Sequence, residues 1–442
     1  MSAALASLPR TAAEERTNPT GPRNLLLITV DTLRADHLGV FGYERPTSPQ
    51  LDSLRDSSAV FERAYSVSSW TLPSIVSMLT GVYPSAHGCE LNNSALPEAY
   101  DTLTERLAAD GFSTKAVTSH VYLSRRYQLD QGFTHFDEEL VLESNERSHE
   151  QVSSPRVTEK GIAWLEDRAR ARADGDDSRW FLWLHYFDPH ALYRDHPETV
   201  QPFGPQPIDR YDSEIYFTDH HIGRVLERLS ELALSDETLV IVTADHGEEF
   251  GDHGGSGHRA TLYEEVLRVP LLLRGTDIEP RRISTPVSLV DLAPTALELL
   301  GVTPLRQVEG VSLAPLLRSP SDPGPDRPLL AELRTKRRRS KGRSGEQDRQ
   351  GPRLLKAIVH GRWKLIRDAP DRYRLFDIDS DPLEMRDLSE SEPERTAQLA
   401  EALRDMIAAS KQIATDIRST TSLELSEEEI EKLRDLGYIG DD

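Results

Sequence analysis

The chain has 442 residues, a hydrophobic fraction of 37% and a formal net charge of −22. This length predicts one large and one smaller domain. The acidity excludes a general nucleic-acid binder, and it requires local positive charge or a metal ion wherever an anionic substrate binds. The one cysteine, Cys89, excludes an internal disulfide framework and a cysteine zinc site.

The beginning of the chain is small, polar and charged, which predicts a flexible leader over residues 1–22 without the apolar stretch of a signal peptide. No apolar run approaches the length of a membrane span. We therefore expect a cytoplasmic protein, or a periplasmic or secreted one if the natural chain carries a leader that this sequence lacks. Nothing in the sequence indicates an oligomeric state.

Apolar runs alternate with helical patterns over the next three hundred residues. The apolar runs are typical of strands buried on both faces of a parallel sheet, and they are 25–30, 116–118, 180–185, 238–243 and 269–273. The helical patterns between them are 48–58, 72–79, 101–110, 157–172 and 211–232. This alternation predicts an α/β domain over residues 23–318, with a mostly parallel central sheet between helices.

The pattern changes after a proline-rich linker at 319–328. Short strands are predicted at 329–333, 355–359, 363–366 and 373–377. They indicate a small antiparallel sheet with a hairpin turn at His360-Gly361, in a C-terminal α+β subdomain over 326–392. An amphipathic helical tail follows at 393–442, beginning with a proline that suits a first helical turn.

One segment departs from the overall acidity: seven of the ten residues 334–343 are Lys or Arg. Its place between two predicted strands favours a solvated loop. The alternative is a contact to a polyanion or an acidic surface.

Acidic residues end two of the predicted parallel strands. Asp31 follows the first strand, and Asp245 with His246 follows the strand at 238–243. A lone aspartate after a strand is more often a helix cap. Because ligands of open α/β sheets bind beyond the carboxyl ends of the strands, two such ends favour a cation site with oxygen and nitrogen ligands.

Five segments, in order over residues 24–390, resemble the sulfatase family of the alkaline phosphatase superfamily. Residues 30–39 (VDTLRADHLG) resemble the family's opening, and 243–254 (TADHGEEFGDHG) its second metal-binding signature. The other three are 262–271 (LYEEVLRVPL), 309–313 (EGVSL) and 375–382 (LFDIDSDP). The resemblance implies an alkaline-phosphatase-like fold and a metal-dependent hydrolase of sulfuric or phosphoric esters.

The nucleophile motif of that family is Cys or Ser, any residue, Pro, Ser, Arg, and later Thr-Gly. Residues 71–81 (TLPSIVSMLTG) match it at Pro, Ser, Thr and Gly, but Thr71 stands in the first position and isoleucine replaces the arginine. Sulfatases convert the first residue to formylglycine. Threonine cannot give that aldehyde, because oxidation of its hydroxyl gives a ketone, and Cys89 lies outside the motif.

Threonine in this position is implied to serve phosphate chemistry. A threonine hydroxyl becomes a nucleophile when a divalent cation stabilises its alkoxide. Thr71 also precedes Pro73 at a predicted helix start, where backbone N–H groups favour an anion. We therefore predict that Thr71 attacks the ester and also contacts the metal. The alternative is a helix-capping threonine without a catalytic role.

Other site residues follow from the resemblance. His190, in the family's Pro-His pair, is expected to contact the substrate's anionic oxygens, and His258 to act as a donor, a general acid or a second metal ligand. His120 is a further candidate whose spacing does not match the family's Gly-Lys-Trp-His element. His253 and Asp252 are as readily structural.

The ligand set implied by the resemblance is Asp31, Thr71, Asp245 and His246. Thr32 stands where the family has a second aspartate, which favours one divalent metal ion, Mn, Zn, Ca or Mg. The histidine ligand favours Mn or Zn.

The leading hypothesis is hydrolysis of a phosphate mono- or diester, with a small anionic ester as the substrate. The alternatives are hydrolysis of a sulfuric ester without formylglycine, and phosphoryl transfer to an alcohol. A protein that binds an anionic ligand without catalysis is the non-enzyme alternative.

Overall fold

The computed structural model describes residues 21–142, 152–194, 196, 203–319, 321–335, 353–417 and 421–435. The predicted leader up to residue 20 and the basic segment beyond Thr335 lie outside these ranges. No helix within them is both long and apolar enough to cross a bilayer.

The described residues form strands and helices in alternation. The strands are β1 (Asn24–Val30), β2 (Ala59–Phe61), β3 (Ala64–Tyr65), β4 (Ser94–Ala95), β5 (Ser113–Val117), β6 (His135–Asp137), β7 (Trp180–Tyr186), β8 (Thr238–Ala244), β9 (Arg268–Val269), β10 (Leu271–Arg274), β11 (Arg281–Ile283), β12 (Val287–Ser288), β13 (Leu329–Thr335), β14 (Arg353–His360), β15 (Trp363–Ala369), β16 (Arg372–Asp377) and β17 (Thr421–Ser422). The helices are α1 (Pro49–Ser53), α2 (Thr71–Thr80), α3 (Pro84–His87), α4 (Leu103–Ala109), α5 (Glu139–Leu142), α6 (Ser154–Ala173), α7 (Pro207–Glu231), α8 (Glu264–Leu267), α9 (Leu292–Leu299), α10 (Ala314–Arg318), α11 (Pro393–Ile417) and α12 (Glu427–Asp435).

The large sheet has eight strands in the order β11-β2-β10-β8-β1-β7-β5-β6. Its centre is parallel, because β1 pairs in parallel with both β7 and β8, and β5 pairs in parallel with β7 and β6. Every residue of β1, β7 and β8 is buried, as the continuous apolar runs predict for strands covered on both faces. The predicted α/β architecture is confirmed.

Two predicted elements divide in the structure. The helix expected at 48–58 is the short α1 followed by a 3₁₀ turn, Leu54–Ser57. The strand expected at 269–273 is two strands, β9 and β10, which belong to different sheets. Pro270 lies between them and cannot donate a ladder hydrogen bond, which explains the interruption.

The small C-terminal sheet is confirmed as four antiparallel strands in the order β13-β14-β15-β16. The predicted helical tail is confirmed by α11 and α12, and a two-residue strand that was not predicted lies between them. After α11, β17 pairs antiparallel with β4 of the large domain, and Leu433 of α12 is fully buried in the main core. A two-residue strand carries no readable alternation, so its pairing depends on tertiary contacts that the sequence does not display.

A buried cation joins the small sheet to the large domain. The ammonium of Lys364, on β15, has no exposed surface and lies 2.9 Å from Glu264 Oε1 and 3.0 Å from Glu384 Oε1. Glu264 begins α8 of the large domain. Removing one member of a buried ionic group leaves the others uncompensated.

We expect Lys364→Met to lower the free energy of unfolding by about 3–5 kcal/mol, because the buried carboxylate of Glu384 and the partly buried one of Glu264 are left without their cation. Urea unfolding at neutral pH measures the loss. Adding Glu264→Gln and Glu384→Gln to the same variant should recover most of it. A loss below about 1 kcal/mol, the value of an exposed ion pair, would contradict the coupling.

His87 at the end of α3 is also fully buried. Its Nδ1 accepts from the backbone N–H of Cys89 at 3.0 Å, and its Nε2 lies 2.9 Å from the hydroxyl of Ser77. Burial lowers the pKa of His87 from 6.5 to about 3. The unfolded chain therefore takes up a proton near pH 6.5, whereas the folded chain does not.

The free energy of unfolding should consequently fall as the pH drops below 6.5, with His87 contributing up to about 1.4 kcal/mol per pH unit. His87→Asn keeps an oxygen that can accept from Cys89 but removes the titration. We expect a shallower loss of stability between pH 6.5 and 4.5 in this variant, measured by denaturant unfolding. Parallel curves for the two proteins would refute the assignment.

Candidate metal centre and active site

The candidate metal ligands meet because their strands are parallel neighbours. β1 and β8 run side by side with Val30 opposite Ala244. The residues that follow, Asp31 and Asp245, therefore leave the same edge of the sheet together. Asp31, Asp245 and His246 offer ligand atoms within 4.8 Å of one another, and all three are fully buried.

Several oxygens of this cluster lack a hydrogen-bond donor among the described residues. They are both carboxylate oxygens of Asp31 and Oδ2 of Asp245. Oδ1 of Asp245 accepts from the backbone N–H groups of Thr32 and His246 at 3.3 and 2.9 Å. Because buried carboxylate oxygens otherwise have partners, the orphaned oxygens fit a divalent cation.

The protonation states around the cluster also suit a cation. Burial, followed by the charges of Asp245 and Glu248, raises the pKa of Asp31, and burial raises the pKa of Asp245. A divalent ion would relieve that cost. Nδ1 of His246 donates to the carbonyl of Gly247 at 2.9 Å, which leaves the Nε2 lone pair for a metal.

Thr71 is the first residue of the ten-residue helix α2, and it is fully buried at the cluster. Its hydroxyl lies 3.4 Å from Nε2 of His246 and interacts with the nearby carboxylate of Asp245. The hydroxyl thus faces the candidate ligands, and the backbone N–H groups of the first helical turn lie beside it. The nucleophilic role of Thr71 stays a prediction.

Four further imidazoles surround the cluster. Nε2 of His120 and Nε2 of His185 lie 3.7 and 3.6 Å from Oδ2 of Asp31. The ring of His258 lies 4.7 Å from that of His246, and 5.0 Å from that of His190. The structure therefore brings both predicted histidines, His190 and His258, and the weaker candidate His120, to the predicted metal ligands.

Burial lowers the pKa of all four imidazoles, to about 3 for His185 and His190. His120 nevertheless donates from Nε2 when neutral, because its Nδ1 accepts the N–H of Tyr122 at 3.1 Å. His190 instead uses Nδ1 to donate to the carbonyl of Ala191 at 2.8 Å. Its Nε2 can donate to a substrate oxygen only as the imidazolium, a form that an anionic ester would favour.

Two residues near the cluster, His185 and Glu248, were not predicted from the sequence. His185 was predicted only as the end of a strand, although its position on β7 opposite Thr29 of β1 places it beside Asp31. Glu248 lies within the recognised 243–254 segment, but its fully buried carboxylate contacts His258 rather than the ligand cluster. The run of two glutamates after Gly247 was the available signal for Glu248.

The remaining candidates, Asp252 and His253, have partners outside the ligand cluster. Asp252 forms an ion pair with buried Arg34 at 3.1 Å, and Nδ1 of His253 lies 2.9 Å from Glu265. Cys89 is buried in the hydrophobic core. Neither Asp252 nor His253 belongs to the metal-type group found among the described residues.

Comparison with known proteins adds to this geometry. The family profile described as Sulfatase matches residues 23–302. The chain is 25% identical to choline-sulfatase of Rhizobium meliloti (strain 1021) over 88% of this chain and 87% of that protein. It is 27% identical to the low-salt glycan biosynthesis sulfotransferase Agl7 of Haloferax volcanii, over 95% and 97% of the two chains.

A solved structure, the phosphonate monoester hydrolase of Agrobacterium radiobacter, matches with a TM-score of 0.71 at 19% identity. The match covers 92% of this chain and 99% of that one. At this identity the likeness concerns the fold.

Proposed function

The chain belongs to the sulfatase family of hydrolases that act on sulfuric or phosphoric esters, and we propose that it cleaves a phosphate mono- or diester with Thr71 as the nucleophile. The observation that carries this proposal is the place of the Thr71 hydroxyl. It lies at the start of α2, 3.4 Å from Nε2 of His246 and beside the carboxylate of Asp245. A cation on Asp31, Asp245 and His246 would touch it.

The role of the metal in this proposal is to supply positive charge. A divalent cation at Asp31, Asp245 and His246 supplies positive charge, which lowers the pKa of an adjacent hydroxyl and neutralises ester oxygens. Three buried carboxylates, including Glu248, otherwise surround the site and would repel an anion. The family binds such a metal, and histidine among the ligands favours Mn or Zn.

The reaction has two halves. Thr71 loses its hydroxyl proton to solvent and attacks phosphorus. Its oxygen–phosphorus bond forms, and the bond to the leaving oxygen breaks as that oxygen gains a proton from the imidazolium of His258. Water or an acceptor alcohol then attacks the phosphothreonine and releases Thr71. We assign the stabilisation of the developing negative charge to the N–H groups at the start of α2 and to the Nε2 proton of His120, whose Nε2 lies 3.7 Å from Oδ2 of Asp31.

His190 and His258 are assigned to the substrate in this scheme. The ring of His258 adjoins both the ring of His190 and that of His246, and His246 is the residue that Thr71 faces. We propose that His190 contacts the anionic oxygens, and that His258 serves the leaving oxygen as a proton donor.

A second candidate is hydrolysis of a sulfuric ester. It is favoured by the named activity of the similar choline-sulfatase. Threonine argues against it, because it cannot form the aldehyde that the family uses. Transfer to an alcohol acceptor remains the third candidate, and the similar protein named as a sulfotransferase favours it.

A panel of 4-nitrophenyl esters tests the proposal. Phosphate, phosphodiester, phosphonate and sulfate esters are assayed with the metal-free protein after addition of Mn, Zn, Ca or Mg. We expect turnover of a phosphate ester that requires an added metal. Turnover of the sulfate ester alone would favour the second candidate, and a product carrying an added alcohol the third. Absence of turnover and of metal binding would favour an anion-binding protein.

A further inference from the structure

A carboxylate that the proposed reaction does not use lies behind His258. Oε1 of Glu248 is 3.1 Å from Nδ1 of His258, and Oε2 accepts from the hydroxyl of Tyr193 at 3.3 Å. The carboxylate is fully buried, and the side chain of His258 is 9% exposed. The pair is therefore a fixed internal contact and not a surface ion pair.

The surrounding chain holds Glu248 in place. Its backbone carbonyl accepts from the buried guanidinium of Arg34 at 3.0 Å, and Arg34 is itself held by Asp252. Glu248 lies outside the group of side chains within metal-ligand distance of one another in the described residues. Its position thus serves the imidazole and not the cation.

The contact determines which ring nitrogen of His258 faces the reacting group. A carboxylate accepts hydrogen bonds, so Nδ1 of His258 carries a proton directed at Glu248. The opposite nitrogen, Nε2, is then the one that exchanges a proton with the substrate. A carboxylate behind a histidine fixes tautomer and ring orientation in the same way in catalytic triads.

We infer that Glu248 is a positioning residue, which holds the Nδ1–H tautomer of His258 and directs Nε2 toward the leaving oxygen of the ester. This inference rests on the proposed function. In the substrate complex Nε2 also carries a proton, because the anionic ester and Glu248 favour the imidazolium, and this proton passes to the leaving oxygen as its bond to phosphorus breaks. His258 then takes a proton from the water that resolves phosphothreonine.

Kinetics with two leaving groups tests the inference. We expect Glu248→Ala to lower kcat about 100-fold for an alkyl phosphate ester, whose leaving oxygen needs a proton. The loss should be under about tenfold for a 4-nitrophenyl ester, whose leaving group departs as an anion. His258→Ala should give the same pattern, and the double variant should be no slower than either one. Glu248→Gln, which keeps an accepting oxygen, should recover part of the rate.

The loop offers a matched control in a second buried carboxylate–imidazole pair. Glu265 lies 2.9 Å from Nδ1 of His253, with 5% of its side chain exposed, and belongs to no group assigned to the reaction. Glu265→Ala should cost stability similarly without changing the ratio of the two ester rates. Equal losses on both esters for Glu248→Ala, or losses that add to those of His258→Ala, would overturn the inference.

A readout independent of turnover separates this inference from the proposed function. The nitrogen NMR shifts of His258, identified by their absence in His258→Ala, should report a protonated Nδ1 in the wild-type protein and a change of tautomer in Glu248→Ala. An ordinary Nε2–H tautomer in the wild-type protein would overturn the inference. Absence of turnover of every ester would overturn the proposed function, and the tautomer would then decide the positioning of His258 by itself.

Discussion

Thr71→Ala should abolish hydrolysis of the best ester substrate, with kcat lower by about 10⁴-fold or more, because the nucleophilic oxygen is lost. The metal content should stay unchanged, since Asp31, Asp245 and His246 remain. Steady-state kinetics together with metal analysis of the purified variant measures both. Thr71→Ser, which keeps a hydroxyl at the same place, should keep most of the wild-type rate.

Thr80→Ala provides the matched control for this substitution. Thr80 ends the same helix, α2, and its hydroxyl bonds the carbonyl of Val76 at 2.7 Å, so it does not reach the cluster. We expect nearly full activity from it. Retention of more than a tenth of the rate in Thr71→Ala would mean that water attacks the ester directly and that Thr71 is not the nucleophile.

Removal of the metal should have the second largest effect. Dialysis against a chelator should eliminate turnover and lower the melting temperature, because metal that binds only the folded protein stabilises it by about 4 kcal/mol at a thousand times Kd. Asp31→Asn should bind metal poorly and show no melting shift on metal addition. Calorimetry and metal titration provide the measurement.

In the metal-free protein, Asp31→Asn should have the opposite effect on stability. Burial and neighbouring carboxylates raise the pKa of Asp31, so its charge destabilises the metal-free fold. Metal-free Asp31→Asn should therefore be at least as stable as the metal-free wild-type protein. Asp252→Asn, which loses an ion pair with Arg34 outside the cluster, should keep metal binding. Full metal response in Asp31→Asn would contradict the ligand assignment.

Much of the fold could be read from the sequence because burial on both faces leaves an unmistakable pattern. β1, β7 and β8 are continuous apolar runs, and the bounds of each were predicted to within one residue. The missed strands are the short ones, such as β3, β12 and β17, which have two residues each. Two residues carry neither periodicity nor burial signal, so their pairing is decided by tertiary contacts.

The site, too, has a part that the sequence predicts and a part that it does not. Asp31 and Asp245 could be predicted to converge, because both end parallel strands and so leave one edge of the sheet. The contributions of His120 and His185 depend on strand order, since β7 and β5 lie on the far side of β1 from β8. Nothing in a single sequence states that order. The contact between Glu248 and His258 depends in addition on the path of the loop between them, which the sequence does not show.

The buried ammonium on β15 limits how this architecture can be recombined. Exchanging the C-terminal subdomain for that of a relative would separate Lys364 and Glu384 from Glu264, which stays in the large domain. The pairing of β17, which follows α11, with β4 of the large domain is a second contact between the two parts. Chimeras joined at the linker should therefore be less stable and express poorly. The large domain and the C-terminal part are expected to fold as one cooperative unit.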